Sequence, residues 1–504
     1  MNAGSFPTFL RLWRFIRRCL RRLRLLFFSR RSAVVYLILG TLLYLACTID
    51  RWHGRRAWAA EKERLAAAGE SLDLRELLPK RPPDEENFFA IPELAKLGDP
   101  GDRLAGRDDP LRLWLARDWV ERPNFRGKMG RAKLVKPAGM TEAPLLEWCV
   151  YFRQTGMLPK QPLSPDPAME LLLSAERWQA LLNAMVAASE RRAAVFLPAP
   201  AERLDANGQP VDYLAASEAQ YQVLDLARSL TLHGRACVET GETGKALNNL
   251  RVLQRLAEGY GNEPGVIKFL FSELVNSLHA AIIRAGVQHH RWDAAQLEQF
   301  GAESETEGVV TRFSRALAVE RARTCQSLAQ FLGKDLDISP GPGFPLPTWT
   351  YVRLAPEGPF LRYCARLSGF YSNLISEFRS PDPQETWLHR INRLTKVGMP
   401  ALSSPNFSEA TVGLIARPLF TQRLLRTACA LERHYLMHRR YPAALSEISA
   451  SMAPEVMTDI DGQPFRYRTA PDGSTFRLWS VGRNGKDDTG TKDAWDDWSF
   501  STEK

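Results

Sequence analysis

Acidic residues are missing from the first 32 positions, which hold nine arginines instead. Of the net charge of +10, +9 therefore sits in this arm. Residues 33–504 carry 58 basic against 57 acidic side chains. A body so balanced has no extended basic face, which excludes a large nucleic-acid-binding surface. Cysteine is scarce, 7 in 504 residues, widely spaced and without a CxxC. That excludes a dense disulfide framework. No HExxH, GxSxG, EF-hand loop or dinucleotide GxGxxG occurs, so no local motif announces a reaction. Long apolar runs are missing too, with one exception. The remaining composition, 45% hydrophobic and 25% charged, is that of a folded chain and excludes a many-span membrane protein.

The exception is Ala33–Ile49, AVVYLILGTLLYLACTI, seventeen uncharged residues. As a helix it covers about 25 Å, near the lower limit for a bilayer core. Arg30 and Arg31 precede it and can snorkel to headgroups, lengthening the span inward across Leu25–Ser29. Nine arginines lie before the run, against Arg51, Arg55, Arg56, Lys62 and Arg64 after it. This imbalance predicts a single-pass inner-membrane protein with a cytoplasmic N-terminus and an exported C-terminal body. The basic stretch is too long for a cleaved signal peptide, so an uncleaved signal anchor is expected, with a lipidated Cys47 as the alternative. Within residues 1–32, Leu12, Ile16, Cys19, Leu23 and Leu26 share one helical face and Arg11, Arg14, Arg18 and Arg21 another. Two readings stand: an amphipathic helix on anionic lipid, or a topology signal alone.

Residues 50–139 read as a stalk and a Pro-rich lead-in. Trp58–Ala68 predicts a short helix, and Phe88 and Phe89 are expected to dock on the body. The stretch KRPPDEENFFAIPEL resembles a segment that follows the anchor in bacterial membrane-anchored proteins. The resemblance implies a recurring architecture and no activity. Residues 140–337 show helical stripes: Val223, Leu226, Ala227, Leu230 and Cys237; then Ala246, Leu250, Leu253 and Ala257; then Ile267, Leu270, Phe271, Leu274, Leu278 and Ile282. Short turns between them suggest an α-solenoid or tetratricopeptide-like body. Residues 338–417 hold a Pro/Gly-rich linker and further helices. The five body cysteines, Cys149, Cys237, Cys325, Cys364 and Cys429, read as buried thiols, with one or two pairs open in an oxidising compartment.

In residues 418–504, Pro418 suits a first helical turn, and Leu424, Ala428, Leu431 and Tyr435 continue one apolar face up to Tyr441-Pro442. Ala443–Ala450 is expected as a short helix. Phe465 and Tyr467, then Phe476 and Leu478, alternate with polar or aromatic neighbours around the turn Ala470–Ser474, which predicts a β-hairpin. This order, carried by ALERHYLMHRRYPAAL, DIDGQPFRYR and FRLWSVGRNGKDD, resembles the globular end of the major pseudopilin of type II secretion systems. The resemblance implies a small α+β module whose acidic loop binds calcium, with Asp487, Asp488 and Asp493 as ligands. Calcium needs six to eight oxygens, which an Asp- and Gly-rich loop can supply. The other reading is a solvated acidic tail.

Other patterns read structurally. Glu239–Ala246, ETGETGKA, lacks the first glycine and the hydroxyl residue of a phosphate loop and reads as an inter-helix turn. His434 and His438 lie one turn apart, but Arg433, Arg439 and Arg440 crowd them against a cation. His289-His290 reads as a helix end, and Asp108-Asp109 before Pro110 as a turn. The expected class is mainly α: a single transmembrane helix, a helical-repeat-like exported body and a small α+β end. The expected function is a scaffold binding a protein or peptide partner at the bilayer, with no nucleic acid. An envelope hydrolase and a component of a secretion apparatus are the alternatives.

Overall fold

The computed structural model describes residues 30–77, 79–80, 82–95, 143–155, 158–195, 213–262, 265–303, 306–332, 357–379, 382, 385–396, 407–448, 454–487, 489 and 499–502. Residues 1–29 of the arginine-rich arm, Asp108-Asp109, residues 338–356, Asp488 and Asp493 lie outside them.

The first helix, α1 (Arg30–Ala67), runs 38 residues without a break, about 57 Å at 1.5 Å per residue. Its N-terminal half is apolar and bare, with Leu37 70% and Tyr44 71% exposed. The helix does not end with the apolar run. The short helix expected at Trp58–Ala68 is the far end of α1, and Gly54, Trp58, Glu61 and Leu65 form its buried stripe. That stripe lies on the helix Glu357–Arg379.

The helical body begins with α2 (Leu145–Thr155), α3 (Pro167–Ala175) and α4 (Gln179–Ser189). Asp166 starts α3 by accepting from the Ala168 N–H at 3.0 Å, ahead of Pro167 in the first turn. Next come α5 (Tyr213–Glu239), α6 (Thr243–Asn262) and α7 (Val266–Gln288), each packed on the other two. The ETGETGKA segment turns α5 into α6, with Gly241 at φ 83° ending the helix and the Glu242 N–H donating to Cys237 O at 2.7 Å. The first two predicted stripes are buried as expected. The third is rotated. Leu278 and Ile282 are buried, whereas Ile267 and Leu274 face outward and Val266, Phe269 and Val275 take the core positions. Because α7 is apolar on several faces, periodicity alone does not select the inward one. Together with α1, α7 is long and apolar enough to cross a membrane, but it is half-buried in the body.

The chain continues through α8 (Ala294–Glu303), α9 (Thr306–Leu332), α10 (Glu357–Arg379), α11 (Trp387–Thr395) and α12 (Phe407–His438). α12 lies across α7, α8, α9 and α11. Pro418 stands inside α12 rather than at its start, since the helix begins at Phe407. Beyond Tyr441-Pro442, the described part of the expected short helix, residues 443–448, holds a single 3-10 turn at Leu445–Glu447.

The hairpin is as expected. β1 (Arg466–Thr469) pairs antiparallel with β2 (Phe476–Trp479), Tyr467 opposite Leu478. A third strand, β3 (Ser499–Ser501), adds to β2 with Phe500 opposite Leu478. This sheet is clamped to the body. Arg284 of α7 donates to Ser499 O at 3.2 Å and covers the Phe500 ring, and Gln288 donates to Ser501 O at 2.9 Å. One apolar core runs from Trp58 to Phe500, so the far end of α1, the helical body and the sheet are continuous. Phe88 and Phe89 are both buried in it.

Candidate functional site

A charged network, with Arg321 and Glu61 buried in it, lies where α1 meets the body. Gly54 and Gly358 let the two helix backbones touch: a Cβ on Gly54 would stand 2.5 Å from the Gly358 carbonyl oxygen. Ion pairs flank this crossing. Arg51 and Arg55 reach Glu357 at 3.2 and 3.0 Å, and Arg362 reaches Asp50 at 2.5 Å. Farther along, Arg64 forks onto Glu61 at 2.7 and 2.8 Å and donates to the Ser372 hydroxyl at 2.6 Å. Burial opposes the charge on Glu61, yet Arg64 and the Ser368 hydroxyl hold its carboxyl below the usual range. Ser372 also accepts from Arg321, at 2.8 Å. Arg321, on α9, is fully buried and pairs with Glu70, just past the end of α1. Three elements thus meet in one charged network: α1, α9 and α10.

A second cluster closes the seam between body and C-terminal module. After α7, His290 adopts φ 50°, which turns its ring onto Tyr435 at 4.4 Å and 12°. Its Nδ1 lies 2.8 Å from Glu432 Oε1. Glu432 is fully buried on α12, and its other oxygen accepts from the Tyr441 hydroxyl at 2.5 Å. Burial and the Glu432 charge push the Tyr441 phenol well above its ordinary value, so it remains a donor. Facing a carboxylate, which only accepts, Nδ1 is the donor of this pair. The same surroundings, burial first, push the Cys429 thiol up to about 12.

The DIDG run pins the sheet. Asp459, buried, accepts from the N–H groups of Ile460 and Val481 at 2.7 and 2.9 Å, from Ser480 Oγ at 2.5 Å and from Arg466 at 3.0 Å. Burial still pushes its carboxyl up. Of the three expected calcium ligands, only Asp487 is described. Its Oδ1 accepts from the Trp479 indole at 2.8 Å and from the Thr489 N–H at 3.0 Å, tying the loop to β2. Among the described residues no group of three His, Cys, Asp or Glu side chains is placed to hold a metal.

Other candidates resolve structurally. His434 and His438 rings lie 4.3 Å apart on an exposed face, and His434 Nδ1 is 3.2 Å from Arg440 O, a helix-end cap. His233, Cys237 and Asn249 form a compact cluster, with Nδ1 3.2 Å from Asn249 Oδ1 and 3.8 Å from the sulfur. Burial lowers the imidazole and raises the thiol to about 12, so the pair is neutral and unactivated. An open polar recess of about 650 Å³ lies over α11, lined by Asp382, Glu385, His389, Asn392, Arg393 and Lys396. Arg393 spans it between Glu377 and Glu385, at 2.9 and 2.7 Å.

Sequence reasoning missed the charged network and the His290–Glu432–Tyr441 cluster. Their members lie far apart in the chain, and only Arg321, a charge at a core helical position four residues before Cys325, carried a local sign. The chain matches no family model, no curated protein and no solved structure.

Proposed function

We propose that this chain is an extracytoplasmic helical scaffold, held at the inner membrane by its first helix and presenting its body to a protein or peptide partner. The observation that carries the reading is α1 itself. Its bare apolar half runs unbroken into a half gripped by Gly358, Glu357, Arg362 and Ser372 of α10. A helix that only needed to tether a body would not need this grip. Outward-facing apolar pairs one turn apart, Leu146 and Val150 on α2 and Met169 and Leu173 on α3, suit a partner surface. The pseudopilin-like end serves as a docking module, with calcium at Asp487, Asp488 and Asp493 as a stabilising ligand.

The test uses the full chain in membranes. Carbonate washing is expected to leave it bound, and reporters fused after residue 70 and at the C-terminus are expected to read as exported. Release by carbonate, or a cytoplasmic C-terminal reporter, overturns the proposal. Partner capture is expected to fall when Leu146 and Leu173 are both changed to Arg, with the melting temperature unchanged. An envelope hydrolase is the second reading, favoured by His290, an accessible imidazole oriented by a buried carboxylate. It requires that His290→Ala abolish hydrolysis of a chromogenic ester by the membrane-bound protein.

A further inference from the structure

The apolar run of α1 ends at Ile49, and guanidiniums gather just beyond it: Arg51, Arg55 and Arg56 on α1 and Arg362 on α10. Two carboxylates answer them. Asp50 takes Arg362 alone, while Glu357 is shared. Nε of Arg51 and Nε of Arg55 lie 3.2 and 3.0 Å from the two oxygens of Glu357. One carboxylate thus holds two guanidiniums side by side, and their terminal nitrogens hydrogen-bond no described residue. Both side chains stay open, 58% and 66% exposed. Arg56 has no acidic partner among the described residues. It lies 5.5 Å from the centre of the Trp52 ring, which is itself exposed. The crossing therefore carries two positive charges beyond what its carboxylates offset. The two helices run parallel, since Gly54 meets Gly358 and Arg64 meets Ser372. So α10 starts level with the end of the apolar run, and the positive end of its dipole points back toward that run.

We propose that Arg51, Arg55 and Arg56 bind the phosphate of an anionic phospholipid headgroup in the leaflet facing the body. The proposal rests on the reading that the apolar half of α1 spans the bilayer. A guanidinium presents paired N–H groups that match two phosphate oxygens. Two of them, already fixed by Glu357, lose little freedom when a phosphate arrives. Trp52 stands where an indole suits the boundary between acyl chains and headgroups. A zwitterionic headgroup brings its own cation, which the surplus charge repels. A headgroup with one negative charge and no cation, such as phosphatidylglycerol, fits. Bound at this level, it sets how deep α1 sits and which side of the crossing faces lipid.

The experiment uses the full chain with Cys19→Ser. Cys47, exposed and one turn before Arg51, then takes a fluorescent maleimide in detergent, while the five body cysteines are buried. The labelled chain is reconstituted in vesicles of phosphatidylcholine and phosphatidylglycerol. A nitroxide high on the acyl chain is carried by one lipid or the other at equal mole fraction. It quenches only its neighbours, and Arg30 lies about 25 Å along the helix from Cys47, so charge at the start of α1 does not reach this label. The phosphatidylglycerol nitroxide is expected to quench about twice as strongly as the phosphatidylcholine one. The excess should shrink with added sodium chloride and vanish in the triple variant Arg51→Gln, Arg55→Gln, Arg56→Gln. Arg56→Gln alone, which leaves both Glu357 contacts in place, should lower it and keeps the test readable if the triple variant misfolds. Equal quenching by the two lipids, or an excess that survives in the triple variant, overturns the proposal and leaves α1 in the bilayer. Quenching by neither lipid overturns the spanning reading and the proposal together. An excess lost when inorganic phosphate replaces chloride at equal ionic strength assigns the arginines to a free anion and overturns the lipid.

Discussion

Replacing Arg321 by Met tests whether the charged network holds α1 to the body. Arg321 is fully buried, while Glu70 keeps some contact with water and has Arg379 at 3.9 Å as a second cation. Removing one member of a buried pair costs about 3–5 kcal/mol, because the remaining charge stays desolvated. The residual hydration of Glu70 and the nearby Arg379 place this case at the low end, about 3 kcal/mol. The hydrogen bond to Ser372 is lost as well, but Arg64 still donates to that hydroxyl. Arg321 Nε has no partner among the described residues, so the wild-type guanidinium is itself incompletely satisfied by them. The double variant Arg321→Met, Glu70→Gln is therefore expected to recover most of the loss, to within about 1 kcal/mol of wild type. The assay is urea unfolding of the full chain in detergent, followed by circular dichroism. A single variant within about 0.5 kcal/mol of wild type refutes the reasoning, as does a double variant no better than the single one.

Gly358→Leu should wedge α1 from α10, because the Asp50 backbone as well as its side chain stands against the added Cβ; protease cleavage after Arg55 in the detergent-solubilised chain is expected to accelerate, and unchanged cleavage counts against the crossing. Stability should fall as pH drops below 6.5: His233 is held neutral in the fold by burial, so the unfolded chain binds the extra proton, and His233→Gln should flatten this slope. Glu61 adds an acid-side loss, since its folded carboxyl lies below the ordinary 4.5; its contribution is complete above that value and is lost as pH falls through the lower folded one, a component that Glu61→Gln removes. Asp487→Ala leaves the Trp479 indole N–H without its acceptor, at a cost of about 1–2 kcal/mol and with a change in tryptophan fluorescence. A melting temperature raised by calcium, and not raised in Asp487→Ala, supports the metal reading, whereas equal values with calcium and chelator end it.

Legibility followed the range of the interaction. β1 and β2 were readable because Phe465, Tyr467, Phe476 and Leu478 alternate around a Pro-Asp-Gly turn, and hairpin register is a local matter. β3 was not: three residues, Ser499–Ser501, carry no alternation and take their order from β2 and from Arg284. The extension of α1 was hidden because the charges from Asp50 onward look like the start of a new segment, while Gly54, mid-helix, looks like a break. In the fold those charges are consumed by α10, and the glycine is the contact point. Pro418 misled in the opposite direction. A proline is acceptable at a first turn and in a kinked interior alike, and nothing local distinguishes the two. The partnership of His290 with Glu432 spans 142 positions, and the left-handed backbone that aims the ring leaves no trace in residue type.

The unbroken first helix makes the proposed anchor a lever. About 27 Å of it, residues 50–67, stands beyond the apolar run and is fused to the mass it carries. A bilayer that thins or thickens changes the tilt of a spanning helix, at modest energetic cost. With α1 unbroken, tilting of the proposed anchor would carry the body with it, and the height and heading of its outer surface would follow the lipid.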